Sequence, residues 1–73
     1  MKLLQRYTPV KVVVTLKEGT TGVFEIAQEL HHTAMEVDTV LTGVRAIMGT
    51  ANELALSVLR EHWAVEDVEV DDG

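Results

Sequence analysis

Asn52-Glu53-Leu54-Ala55-Leu56-Ser57-Val58-Leu59-Arg60-Glu61-His62-Trp63-Ala64-Val65-Glu66-Asp67-Val68-Glu69-Val70-Asp71 changes its period part-way along, and that change decides the fold. Asn52 has the side chain to accept from the free N–H groups of a first helical turn. Glu53 sets negative charge at the positive end of the helix dipole. At about 100° per residue, Ala55, Val58, Leu59, His62 and Trp63 share one broad face, with Glu53, Ser57, Arg60 and Glu61 opposite. After Trp63-Ala64 the period drops to two. Val68 and Val70 point one way, and Asp67, Glu69 and Asp71 the other. A helix feeding an acidic, alternating last strand requires a sheet for that strand to join.

Working back toward the N-terminus, Val44 to Thr50 reads as a strand with Ile47 and Gly49 on one side and Ala46 and Met48 on the other. A turn at Thr42-Gly43 precedes it, since glycine tolerates positive φ. Met35 to Leu41 is another strand. Alternation sets Met35, Val37, Thr39 and Leu41 against Glu36, Asp38, Val40 and Thr42. A helix occupies the residues up to about Thr33, with Val23, Ile26, Ala27, Leu30 and Ala34 as its apolar stripe and Phe24 and His31 on the stripe's edge. Thr20 or Thr21, after Glu18-Gly19, is the expected N-cap. Lys11 to Lys17 is the first strand, with Val12, Val14 and Leu16 on one face. Residues 1–9 form a leader without a period, ended by Pro9, which lacks the donor a central strand needs. Residues 10–73 then make one domain.

The order β-α-β-β-α-β is the ferredoxin-like, split βαβ arrangement of the α+β class. A four-stranded antiparallel sheet with both helices on one face is expected, its crossovers right-handed. By alternation the bare face carries Val13, Thr15, Val40, Ala46 and Met48 among Lys11, Glu36, Asp38 and Glu69. An open, partly apolar face of this kind marks a docking surface.

Composition narrows the function classes. The chain has 73 residues and no cysteine, so no disulfide framework or thiolate metal site supports so small a core. Its net charge of −6 argues against nucleic acid and against an anionic membrane surface as partners. The five carboxylates of Glu66–Asp72 lie at the other end of the chain from Lys2, Arg6, Lys11 and Lys17, so the two ends attract. No secretory apolar run follows Met1-Lys2-Leu3-Leu4, so the chain reads as cytoplasmic by default.

Chemistry-bearing clusters are sparse. His31 and His32 are adjacent and diverge on a helix, and neither has a histidine at i+4. His62 near a helix C-terminus reads as a histidine satisfied by the last carbonyls and the dipole. On a strand, Glu69 and Asp71 splay along one face instead of converging on a hard cation. No nucleophile elbow, zinc-protease helix motif or phosphate loop is present. Lys11 or Lys17 as a Schiff-base lysine, making the chain a lyase of aldolase type, is the remotest reading. The expectation is no metal, no cofactor and no catalysis.

From Met35 to Asp72 the chain resembles the propeptides of subtilisin-like serine proteases, the peptidase inhibitor I9 type. The features that carry it are the strand Val37–Leu41, Ala46-Ile47, and the helix opening Asn52-Glu53-x-Ala55-Leu56. Leu59-Arg60 and the ending Val65-Glu66-Asp67-Val68-Glu69-Val70-Asp71 follow in the family's order, and Val12-Val13-Val14-Thr15-Leu16-Lys17 looks like its first strand. Trp63 stands where the family usually carries proline. The resemblance implies the same fold and a protein-binding role as inhibitor or folding assistant. Val13, Val40, Ala46 and Met48 would then dock on a subtilisin-type protease, and Asp71, Asp72 and Gly73 would enter its cleft. The other reading is a small interaction module that forms a homodimer through the same sheet face.

Overall fold

In the computed structural model, which describes residues 9–71, four strands form one antiparallel sheet in the order β2-β3-β1-β4. The strands are β1 (Val10–Leu16), β2 (Glu36–Leu41), β3 (Ala46–Ala51) and β4 (Val65–Asp71). Helix α1 (Val23–Thr33) connects β1 to β2, and α2 (Glu53–Glu61) connects β3 to β4. This is the expected α+β, ferredoxin-like arrangement. The leader through Thr8, and Asp72 and Gly73 of the expected cleft segment, lie outside the described residues.

The core forms where the apolar rows of the two central strands meet the helix stripes. Val12, Val14 and Leu16 of β1 and Ile47 of β3 are buried against Ile26, Ala27 and Leu30 of α1 and Leu59 of α2. No polar or charged side chain is buried among the described residues. Removing apolar area from water therefore dominates, at about 25 cal/mol per Å².

The helices differ in how they begin. Asn52 caps α2 as its sequence implies, its Oδ1 accepting from the Ala55 N–H at 2.9 Å. Neither Thr20 nor Thr21 caps α1. Gly22 holds that position in the left-handed region at φ 70°, and no side chain bonds the first turn. The apolar face of α2 is also narrower than its period suggests. Leu59 is fully buried and Ala55 and Leu56 are partly so, whereas Val58 is 51% exposed; Trp63, expected on the same face, lies past the helix end in the turn to β4 and is 68% exposed. The sheet ends beyond β4, so only the side of α2 turned toward β1 finds strands to cover.

Two corrections concern the β2–β3 connection. Residues Thr42–Val44 form a short 3₁₀ turn, and β3 begins only at Ala46. The residue at positive φ is Arg45 (54°), not Gly43.

A third correction bears on the site. The β2–β3 register runs Glu36↔Thr50 and Val37↔Gly49, then shifts so that Thr39 faces Met48, Val40 faces Ile47 and Leu41 faces Ala46. Asp38 is thus a bulge. One extra residue reverses the alternation beyond it. Val40 turns to the helix side, beside the core with Val37, while Thr39 and Leu41 move to the bare face. Gly49 permits the close approach of the two strands. A Cβ there would overlap the carbonyl oxygen of Glu36.

Candidate docking face

The bare face of the sheet consists of three rows, each running from β2 across β3 and β1 to β4. The first is Glu36, Thr50, Lys11 and Asp71; the second is Thr39, Met48, Val13 and Glu69; the third is Leu41, Ala46, Thr15 and Asp67. Strand periodicity places these residues on one side, because successive side chains in each ladder alternate. Its apolar centre is Val13 and Met48, extended toward β2 by Leu41. Met48 and Leu41 are 40% and 41% exposed, large fractions for side chains of that size.

Three of the four docking residues named from the sequence, Val13, Ala46 and Met48, come together on this face. Ala46 is largely enclosed by its neighbours. Val40 does not belong, for the reason given by the bulge, and Leu41 takes its place. Asp71 closes the first row, opposite Lys11.

Charge frames the apolar centre on two sides. Asp67, Glu69 and Asp71 form a column along β4, and Glu36 stands at the β2 margin with Asp38 beside it. Lys11 lies within the first row, between Thr50 and Asp71 in register. A pocket of about 190 Å³ sits there, lined in part by Lys11, Val13, Asp38, Thr39, Met48 and Asp71.

The histidines are elsewhere. His31 and His32 are exposed on the last turn of α1 and touch edge to face, with ring centroids 5.7 Å apart. His62 behaves differently from its sequence reading. It forms the C-cap of α2, but its ring bonds forward and across to α1, not back to the helix carbonyls. Nδ1 accepts from the Ala64 N–H at 3.1 Å, and Nε2 lies 2.9 Å from the Glu29 carboxylate. An accepting Nδ1 puts the proton of a neutral ring on Nε2, the atom that then donates to Glu29. This tie between the helices joins residues 33 positions apart, and periodicity within one helix carries no sign of it. Among the described residues, no three histidine, aspartate or glutamate side chains gather as a metal site.

No helix among the described residues is long and apolar enough to cross a membrane. No family model, curated protein or solved structure matches this chain.

Proposed function

We propose that the chain is a non-catalytic module that docks on another protein through its open sheet face. The observation that carries this reading is the row Thr39-Met48-Val13-Glu69 and its neighbours, which no helix or loop among the described residues covers. Burying Met48, Leu41 and Val13 supplies apolar area, and the carboxylate margins set orientation. Two copies stacked face to face would bring like charges together at both margins. The face therefore suits a partner with positive margins, such as lysines or the N-termini of surface helices.

The resemblance drawn from the sequence names one such partner, a subtilisin-type serine protease. The module would act on it as inhibitor or folding assistant, with the segment from Asp71 onward reaching toward the cleft. Mixing the purified protein with a subtilisin-type protease tests this. Loss of protease activity, relieved by Met48→Lys, is expected. Full activity at micromolar protein, with no complex on gel filtration, removes the protease from the proposal. The docking reading itself fails if Met48→Lys and Val13→Lys leave every interaction of the protein unchanged.

A further inference from the structure

The outer edge of β2 and the groove beside it form a second surface, on the helix side of the sheet and separate from the docking face. Strand β2 bonds β3 on one side only, so the backbone groups along its other side face no strand. Beside that edge lies a groove of about 340 Å³ between α1 and β2, whose lining includes Phe24, Ala27, His31, Val37 and Val40. Phe24 is 62% exposed there. Phe24, Ala27 and His31 follow the i, i+3, i+7 spacing of one helix stripe.

The bulge makes this edge complementary to itself. Val37 and Val40 both face the helices, while Glu36, Thr39 and Leu41 face the other way. Pair the strand antiparallel with a second copy about a two-fold axis between Asp38 and Thr39. Val37 then falls opposite Val40 of the second copy, Glu36 opposite its Leu41, and Asp38 opposite its Thr39. Every helix-side residue meets a helix-side residue, and no carboxylate lies directly opposite another. Shifting the register by one residue in either direction sets Val37 or Val40 against a residue of the opposite face. An unbulged strand of this length would have to put Val37 and Val40 on opposite faces.

We propose that two copies of this chain pair edge to edge through β2 in this register, forming one continuous eight-stranded sheet. The helices extend the contact. α1 runs antiparallel to β2, with Phe24 toward the Val40 end and His31 toward the Val37 end. The two-fold axis therefore brings Phe24 of each copy beside His31 of the other. Main-chain hydrogen bonds provide affinity, and the valines and Phe24 provide specificity. Because the axis is perpendicular to the sheet, both open faces lie on the same side of the dimer. They stay available to a docked partner, so the pairing stands independently of the proposed function.

The Asp38 side chains lie diagonally across the axis, close enough to repel. That gives the dimer a signature. Sedimentation equilibrium over a range of protein and salt concentrations should show a monomer–dimer equilibrium that tightens as salt screens the two carboxylates. Asp38→Asn should tighten it several-fold at low salt. Phe24→Asp should weaken it by about tenfold or more, with the far-UV circular dichroism unchanged because Phe24 lies outside the core. Met48→Lys should leave the equilibrium alone. A protein that stays monomeric at high concentration and high salt, both as wild type and as Asp38→Asn, overturns the proposal. A dimer dissolved by Met48→Lys and indifferent to Phe24→Asp also overturns it, and assigns self-association to the open face.

Discussion

Strands β2 and β4 are both edges, both antiparallel to their one neighbour, and both carry an irregularity in the ladder. They differ in where it falls. In β4 the register shifts at Glu66, before the alternating run, so Asp67, Glu69 and Asp71 share the bare face and Val68 and Val70 the other. In β2 it falls at Asp38, in the middle, and the residues before and after obey opposite alternations. The lesson concerns the neighbour as much as the strand. Opposite the β4 irregularity stand Thr15 and Leu16 of β1, ordinary strand residues. Opposite the β2 bulge stand Met48 and Gly49, and at Gly49 the backbone of β2 comes too close for any side chain.

The sharpest way to break that contrast is Gly49→Ala. The new methyl would meet the Glu36 carbonyl oxygen and the Met35 methyl group, and the backbone atom has no rotamer to escape into. Destabilisation of about 4 kcal/mol is expected, at the upper end for single substitutions. A domain of this size has about that much stability in total. Urea unfolding should therefore find the variant largely unfolded in water. A variant that folds with near wild-type stability would show that the β2–β3 ladder is free to slide, and the bulge with it.

A smaller effect separates the two sides of α2, the helix that packs against β4. Leu59 is fully buried, whereas Val58, its neighbour in sequence, is half exposed. Leu59→Ala should cost about 3 kcal/mol, within the range for fully buried leucines. Val58→Ala should cost less than about 0.5 kcal/mol, as for surface positions. Thermal unfolding of the two variants side by side decides it. Equal losses would mean that α2 is rotated to bury Val58, as the helical period taken alone suggests.

These cases mark what could be read in the sequence. Element order, the central rows Val12-Val14-Leu16 and the position of Leu59 followed from period and caps, because each depends on residues adjacent along the chain. The bare face of the sheet was legible for Val13, Ala46 and Met48, which sit on strands without interruption. Strict alternation misplaces Val40, because it has no way to represent an inserted residue. A hint existed in the odd spacing of Val37 and Val40, with Asp38-Thr39 between them and a glycine in the facing strand. The exposure of Val58 could not be read from α2 itself. It depends on the sheet ending at β4, which is a property of the topology.

The smallest effect concerns the tie between the two halves of the molecule. His62 makes two hydrogen bonds of unequal consequence. Its Nδ1 accepts from the Ala64 N–H, and Ala64 is fully buried, so losing that bond leaves a donor without water to replace the ring. Its Nε2 meets Glu29, whose side chain is 52% exposed and readily solvated. The first loss costs about 1–3 kcal/mol, and the second about 0.5 kcal/mol or less. Asparagine can place its amide oxygen near the Nδ1 position, whereas glutamine reaches the Nε2 position and abandons the turn. His62→Asn should therefore stay within about 0.5 kcal/mol of wild type, while His62→Gln loses nearly as much as His62→Ala, about 1.5 kcal/mol. Denaturant midpoints for the three variants provide the check. The reverse ranking, glutamine retained and asparagine lost, would mean that the bond from α2 to α1 matters more than the turn into β4. The β4 half would then depend on the β2 half for its closure.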